Sequence, residues 1–307
     1  MKKLLAVLLA LAVVGGFAFA QGKVSVALDG TYALINQDIQ GVATTADNTG
    51  ATTLKVTGTT AEGDKGLTLG LTTPSALGAV NYTSYNAWFY MFDKVVKLNF
   101  GNYRDSGFRT VFSTGTFDFG REAQQNQLGI SVYPVTGLTL QADLAYTTTA
   151  TDLVDILSVS NFMASYAIDK VGTVKGWALL GATNAFGGAF QFTGVENLEA
   201  DVAVNYATNL DFAVYATYAL GAFTPYFEFD GTLAGSTFSW EAYVEADYAI
   251  NDNLSAEADF DYMSSNAYAV SACAYWDFLN GVKIGAKAKF DGTDFTWSLP
   301  LKYSVAF

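Results

Sequence analysis

Carboxylates are the most abundant chemically active side chains in this sequence. The chain has 29 Asp and Glu residues, 16 Lys and Arg residues, and no His. Without an imidazole it cannot form a Ser-His-Asp hydrolase, a Cys-His protease or a His-ligated zinc centre. Its single cysteine, Cys273, allows neither an internal disulfide nor a thiolate metal cluster. We therefore expect no enzyme activity, no cofactor and no metal site.

Paired carboxylates such as Asp259 and Asp261 are the remaining candidates for acid–base chemistry. They stand two residues apart, a spacing that any strand with one polar face produces. No acidic segment matches an EF-hand calcium loop. The net charge of −13 argues against non-specific nucleic-acid binding, which needs clustered Lys and Arg.

The first 20 residues have the three parts of a secretory signal peptide. Two lysines precede an apolar run over residues 4–14, and Ala18 and Ala20 form a small-x-small cleavage site. We expect residues 1–20 to be the signal peptide and residues 21–307 to be a single domain. No later stretch has 18 consecutive apolar residues, so the sequence predicts no membrane-spanning helix.

From residue 22 onward, apolar and polar residues alternate, which is the period of a β-strand. Between Thr237 and Ile250, for example, Glu241 and Glu245 alternate with residues such as Trp240 and Val244. The pattern predicts about 18 strands of roughly 8–12 residues, close to the length that crosses a bilayer at a tilt.

Turn-forming residues separate these strands. Short turns are predicted at residues 93–94, 134–137, 169–172, 251–253 and 280–281, and longer polar connections at 36–51, 74–84, 104–125 and 147–160. The sequence thus predicts an all-β fold, an up-and-down antiparallel barrel of about 18 strands. The alternative is 16 strands, if the weakest pair (residues 173–182 and 189–194) does not form.

Alternation alone does not distinguish a membrane barrel from a soluble β protein, whose apolar face packs inward. The unbroken series of hairpins favours a transmembrane barrel. So do aromatic residues near both ends of the apolar faces, such as Trp240 and Tyr248 on one strand and Trp297 and Tyr303 on the last. We interpret the fold as a transmembrane β-barrel and keep the soluble β protein as the alternative.

The last nine residues alternate up to a final aromatic residue, Phe307. This ending resembles the C-terminal strand of Gram-negative outer-membrane β-barrel proteins, where a final aromatic residue is part of the assembly signal. With its signal peptide, hairpin pattern and size, the chain resembles the porin class, without a specific subfamily. The resemblance implies the outer membrane as location, with its lipid and the barrel-assembly machinery as partners, and leaves a homotrimer open.

If the apolar face meets lipid, the polar face lines the interior, and 16–18 strands enclose an aqueous channel. The acidic residues that alternation places on this face are Asp143, Glu199, Asp201, Asp211, Glu228, Asp230, Glu241, Glu245, Asp247, Glu257, Asp259 and Asp261. The basic residues on it are Lys55, Lys97, Lys283, Lys287, Lys289 and Lys302. Single charges on a polar face are usually only solvated. Their segregation, however, predicts an acidic wall, a basic arc facing it across much of the interior, and a preference for cations.

The arginines of the sequence, Arg104, Arg109 and Arg121, all lie in the third long connection. In porins the third external loop commonly folds into the barrel and narrows it, so the position of this connection resembles that constriction loop. A loop that caps the rim is an equal alternative.

The leading functional hypothesis is a passive channel for small hydrophilic solutes or ions. The alternative is a structural or adhesive surface protein whose barrel only anchors loops. Most connections in the second half are too short for a large adhesive surface, which favours transport.

Deleting Phe307 is expected to lower the amount of folded, heat-modifiable protein in outer membranes, because the assembly signal then lacks its aromatic residue. Semi-native gel electrophoresis of membrane fractions measures this amount. An unchanged yield would contradict the assembly role.

Overall fold

The computed structural model describes residues 23–38, 44–45, 51–73, 81–103, 110–111, 118–120, 125–145, 152–279 and 281–306. The proposed signal peptide, the three arginines and Phe307 lie outside these residues, and what we expect of them stays a prediction. Within the described residues, no helix has the length and apolar character needed to cross a membrane.

Eighteen long strands account for most of the described chain. They are β1 (Lys23–Asp38), β2 (Ala51–Thr59), β3 (Lys65–Thr73), β4 (Asn81–Met91), β5 (Val96–Tyr103), β6 (Gln125–Val132), β7 (Leu138–Ala145), β8 (Asn161–Ile168), β9 (Gly172–Leu179), β10 (Ala185–Phe192), β11 (Leu198–Tyr206), β12 (Leu210–Tyr218), β13 (Phe223–Ala234), β14 (Thr237–Asn251), β15 (Leu254–Met263), β16 (Tyr268–Asp277), β17 (Val282–Phe290) and β18 (Phe295–Ala306). Among the described residues there are also three two-residue strands: Thr44–Thr45 pairs with β1, and Thr110–Val111 pairs with Asp118–Phe119.

Each long strand pairs antiparallel with the next along the chain, and β1 also pairs with β18. This closing pair runs from Ala27 opposite Ala306 to Asp38 opposite Thr296. A closed ring has no free sheet edge, so each strand finds main-chain partners on both sides. The predicted up-and-down antiparallel barrel is confirmed.

The strand count is 18 because the weakest predicted pair does form. Strands β9 and β10 stay in register from Gly172 opposite Phe192 to Leu179 opposite Ala185. Both strands also pair with their outer neighbours, β8 and β11. The alternative of 16 strands is therefore wrong.

The two ends of the barrel differ in the length of their connections. The end that we call the turn rim holds only short connections, at residues 60–64, 92–95, 133–137, 169–171, 193–197, 219–222, 252–253 and 278–281. The opposite end, the loop rim, holds the four long connections predicted from the sequence and five short ones. All five predicted short turns lie at the turn rim. Long connections are thus confined to the first half of the chain and to one end of the barrel.

The apolar and polar faces of the strands are arranged inside out relative to a soluble protein. On β11, Val202 and Val204 are 49% and 44% exposed, whereas Asp201 and Ala203 between them are 5% and 1% exposed. A water-soluble barrel would expose its carboxylates and bury its valines. The soluble alternative is therefore wrong, and the exposed apolar face is suited to lipid.

Short polar contacts stabilise the connections at the loop rim. Asp152 caps the short helix α1 (Leu153–Leu157) in the fourth long connection. In the last connection, the carboxylate of Asp291 accepts the backbone N–H groups of Asp294 at 2.8 Å and Thr293 at 3.1 Å. These hydrogen bonds to its ionised form lower the pKa of Asp291.

Inside the barrel, aromatic rings cover glycines on the neighbouring strand. The Trp177 ring lies over Gly187 on β10, and its Nε1–H donates to Asn205 Oδ1 at 3.0 Å. A Cβ atom at Gly187 would stand 2.4 Å from the carbonyl oxygen of Val204 and 2.6 Å from the ring. The glycine therefore provides the space that the ring occupies.

Gly187→Ala is expected to destabilise the folded barrel by about 1–3 kcal/mol, because the added methyl group has no space beside a backbone oxygen. Urea unfolding of the refolded protein in lipid, followed by heat-modifiable gel migration, measures the loss. The matched control is Gly176→Ala on β9, where the nearest atom to the new Cβ is 3.9 Å away. Equal stability of the two variants would refute this packing account.

Candidate functional site in the barrel interior

Strand register brings the predicted charged residues onto one face of the sheet. Residues opposite one another in adjacent strands share a face. One such row crosses β11–β15 and consists of Asp201, Tyr215, Glu228, Tyr243 and Asp261. This row faces inward, since its first and third members are buried while the intervening apolar residues of each strand are exposed. The same register puts all twelve predicted acidic residues and all six lysines on this inward face.

The twelve carboxylates differ in their access to solvent, a difference that the sequence did not predict. Four are 0% to 5% exposed, namely Asp143, Asp201, Glu228 and Asp230. Six partly or fully exposed carboxylates, which we call the acidic wall, lie on β14 and β15: Glu241, Glu245, Asp247, Glu257, Asp259 and Asp261. Glu199 and Asp211, on β11 and β12, complete the exposed set. Charge accessible to solvent is thus concentrated on two adjacent strands.

Three inward tyrosines contact one another across neighbouring strands and donate hydrogen bonds to carboxylates, and sequence reasoning missed them. The Tyr215 and Tyr226 rings stack at 5.3 Å between centroids, and the Tyr226 and Tyr243 rings meet edge to face at 6.0 Å. Each hydroxyl donates to a carboxylate: Tyr215 to Glu199 at 2.7 Å, Tyr226 to Glu228, and Tyr243 to Glu245. The sequence does contain a pattern that could have identified them: a two-residue spacing places each tyrosine on the same face as the carboxylates of its strand.

The lysines of β17 and β18 lie beside the acidic wall, where the sequence analysis expected them to face it across the interior. Lys287 Nζ is 3.9 Å from an Asp259 oxygen, and Lys302 Nζ is 3.9 Å from a Glu257 oxygen. Lys302 also lies over the Tyr275 ring, 4.4 Å from its centroid. For these two lysines the expected position is wrong, because one strand separates β15 from β17 and two separate β15 from β18, and long side chains span these gaps.

On the other side of the barrel, Lys97 of β5 lies over two rings of β4. Its Nζ atom is 5.5 Å from the Trp88 centroid and 5.8 Å from the Tyr90 centroid. Contacts of this kind hold a cation through the negative faces of the rings. Lys97 is thus fixed against the barrel wall.

Asp143 has a structural role in a buried hydrogen-bond network. Its Oδ1 atom accepts the Tyr103 hydroxyl at 3.2 Å, and its Oδ2 atom accepts Gln141 Nε2 at 2.6 Å. Gln141 Oε1 in turn accepts the Ser131 hydroxyl at 3.2 Å. A Cβ at Gly129 would stand only 2.3 Å from the Tyr103 oxygen, so the glycine leaves room for this contact. The network holds Tyr103, the last residue of β5, where the third long connection begins.

Part of the third long connection lies inside the barrel. Phe119 is 3% exposed and belongs to a cluster of buried side chains. The other members lie on the inward face of β8–β12: Met163, Trp177, Ala189, Ala203, Ala213 and Tyr215. Thr110, which pairs with Phe119 in the short ribbon, is 4% exposed. Sequence reasoning noted the arginines of this segment but did not identify Phe119 as its contact with the wall.

Within the described residues, no group of three or more His, Cys, Asp or Glu side chains is arranged to hold a metal ion. Cys273 lies on the inward face of β16, opposite Glu257 and Lys287, and is 4% exposed.

A closed ring of antiparallel strands with an apolar exterior and a charged interior is the architecture of porin-like outer-membrane barrels. The outer membrane protein OpdK of Pseudomonas aeruginosa has this fold, with TM-score 0.61 and 11% identity over 93% of this chain and 99% of that chain. Pseudomonas aeruginosa OpdL is similar (TM-score 0.60, 13% identity, 94% and 99% covered), as is a Rhodopseudomonas blastica porin triple mutant (0.53, 13%, 92% and 100%). At these identities the likeness establishes the fold. No protein-family model and no curated protein matches the sequence.

Phe119→Ala is expected to loosen the third connection from the wall, because removing a buried phenylalanine ring costs about 3–5 kcal/mol of packing. Single-channel recording in a planar bilayer is expected to give a larger conductance with more current noise. The control is Phe278→Ala, at an exposed ring in a turn-rim connection. A Phe119→Ala channel with wild-type current would show that this contact does not narrow the pore.

Proposed function

We propose that this chain is an outer-membrane porin, a water-filled channel for passive diffusion of small hydrophilic solutes or ions. The observation that carries the proposal is a closed 18-stranded ring with apolar residues outside and charged residues inside. A ring of this size is wide enough for an aqueous channel, whereas eight strands are filled by their own side chains.

The channel prefers cations in this proposal. Carboxylates stand directly opposite one another in three cross-strand pairs, Asp230 with Glu241, Glu245 with Asp259, and Asp247 with Glu257. Like charges in such positions destabilise a sheet. If these carboxylates had no role beyond contact with water, lysines in the opposite positions would give a more stable sheet. The concentration of negative charge therefore supports a role in attracting cations.

The alternative function, a surface adhesin anchored by its barrel, has weaker support. Five of the nine connections at the loop rim are short, among them residues 235–236 and 264–267. Such turns offer little surface to a partner. An adhesin would therefore have to bind its partner through the four long connections in the first half of the chain.

The partners of the porin in this proposal are the outer-membrane lipid around the apolar face and the barrel-assembly machinery that inserts the chain. Cleavage after Ala20 releases the domain into the envelope. A homotrimer is the assembly that the resemblance to porins leaves open, and chemical cross-linking in the membrane distinguishes it from a monomer.

Replacing Glu241, Glu245, Glu257 and Asp259 by their amides is expected to move the reversal potential in a salt gradient toward zero. The shift should be largest near 0.01 M salt, where the Debye length is about 30 Å, and small at 1 M, where it is about 3 Å. Replacing Arg104, Arg109 and Arg121 by glutamine is expected to shift it the opposite way if that connection lines the pore.

The matched control removes four charges from the turn rim, at Glu62, Asp169, Glu196 and Asp252, all of which are exposed. This variant has the same net charge as the interior variant. An equal shift in both would mean that total charge, and not the acidic wall, sets the preference. A wild-type channel that prefers anions would refute the cation preference.

A further inference from the structure

A shallow hollow with a volume of about 530 Å³ interrupts the outer surface of β6–β9. Two larger side chains at its sides, Leu140 and Phe162, are 43% and 37% exposed. Its floor consists of small residues. These are Ala142, Ala164, Gly176 and Ala178. We call this feature the lipid-facing hollow.

Strand alternation places the floor of the hollow on the outside of the barrel. Gln141, Met163 and Trp177 alternate with the floor residues, and these three side chains are buried on the inward face. Ala164 stands opposite Gly176 on the neighbouring strand. A Cβ atom added at Gly176 would have its nearest neighbour 3.9 Å away, so the space above this glycine is open. The hollow is therefore accessible from the apolar surroundings of the barrel.

A hydrocarbon chain makes more contacts in this hollow than on the wall around it. Leu140 stands opposite Ala164, and Ala142 stands opposite Phe162, so a line from Ala142 to Ala164 passes between the two larger side chains. A chain on this line contacts the floor and both sides, and each contact adds dispersion energy that a void would lose. A second copy of the barrel fits less well, because a two-fold axis would set the hollow against itself and leave the space unfilled.

The connection at the turn-rim end of β8 and β9 carries one charge of each sign. Asp169 and Lys170 are adjacent, and both side chains are exposed. Ala164 and Gly176 are each six residues from Lys170, which is about 20 Å at the rise of a strand. At a tilt of about 45° this corresponds to roughly 14 Å of height, close to half of the ~30 Å hydrocarbon core. A lipid whose headgroup lies at this connection therefore reaches the hollow with the end of its chain.

The loop-rim ends of β8 and β9 do not favour a phosphate. Residues 152–160 and 180–184 contain two charged side chains, Asp152 and Asp155, and both are acidic. Negative charges repel a phosphate group, so the charge distribution favours a lipid anchored at the turn rim. Short turns of bacterial outer-membrane barrels lie on the periplasmic side. The lipid therefore belongs to the periplasmic leaflet.

We propose that the lipid-facing hollow binds one acyl chain of a zwitterionic phospholipid from this leaflet. The phosphate of its headgroup pairs with Lys170 and its ammonium group with Asp169, while the chain follows the hollow. A lipid that carries phosphates and no ammonium group uses only the lysine. This inference rests on the proposed function, because only a barrel embedded in a membrane presents this face to lipid.

The test uses the refolded full-length barrel and phosphatidylethanolamine as the probe. Native mass spectrometry from detergent counts the lipids retained by each barrel and gives the affinity of the first one. One phosphatidylethanolamine is expected to stay bound at lipid concentrations at which further molecules are lost. Lipid A, which has phosphates and no ammonium group, is the comparison and is expected to bind more weakly.

Ala164→Leu fills the floor of the hollow. It is expected to weaken binding of phosphatidylethanolamine about tenfold, the effect of displacing roughly two methylene groups from an apolar contact. Gly176→Leu tests the same space from the opposite strand. The matched control is Ala272→Leu, at an exposed alanine on the outer face of β16, and it is expected to leave the affinity unchanged. Heat-modifiable migration identifies any variant that has not folded.

Lys170→Gln removes the proposed partner of the phosphate. It is expected to weaken binding of phosphatidylethanolamine by roughly two- to fivefold, the range of an exposed ion pair. Lys94→Gln is the matched control, because Lys94 also follows an aspartate in an exposed turn-rim connection. This control is expected to bind the lipid as the wild type does.

Currents recorded in a planar bilayer separate this inference from the channel itself. A conducting barrel that retains no phosphatidylethanolamine, or that binds it equally well as Ala164→Leu, would refute the lipid site and leave the porin proposal intact. A barrel that retains the lipid and carries no current would support the site and refute the channel. Stronger retention of lipid A, or loss of an oligomer instead of a lipid in Ala164→Leu, would overturn the assignment.

Discussion

The rest of this structure depends on one constraint: every main-chain N–H and C=O group inside the lipid bilayer must find its hydrogen-bond partner within the protein. Lipid offers no partner to an exposed N–H or C=O group, so a sheet that crosses a membrane must close on itself. The pairing of β1 with β18 provides that closure. It also fixes how many strands separate any two side chains around the ring. The consecutive hairpins from β14 to β18 place the acidic wall beside its neighbouring lysines, and the closing pair connects that part of the ring to the first strand.

The two-residue period of a strand explains why much of the fold was predictable from the sequence. Alternation identified the strands and the face on which each charge lies, and turn-forming residues identified the turns at 134–137 and 251–253. It could not predict burial, because burial depends on neighbours from distant segments. Asp143 is enclosed by Tyr103 and Gln141, contacts that no local pattern reveals. The position of Phe119 against β8–β12 likewise depends on packing between distant parts of the chain.

The lysines illustrate a different limit of sequence reasoning. The sequence analysis placed Lys302 in a basic arc that faces the acidic wall across the interior, yet only two strands lie between β15, which holds Glu257, and β18. A lysine side chain is flexible and carries a compact charge, so it can reach across such a distance. Opposite charges that meet at the edge of the wall weaken its field locally. Carboxylates away from that edge keep their influence on ions in the interior.

Stability and function make opposite demands on the inward face of β11–β15. Opposed carboxylates such as Asp247 and Glu257 cost stability, and small side chains such as Ala203 and Ala213 make fewer packing contacts than larger ones would. The tyrosines offset part of the first cost through hydrogen bonds to carboxylates, and Phe119 offsets part of the second by packing against these alanines. An inward face selected only for stability would place opposite charges beside one another. It would also cover its small side chains with larger ones from its own strands. The cost of the opposed carboxylates therefore stays on β13–β15, whereas the third connection, through Phe119, compensates for small side chains only on β8–β12.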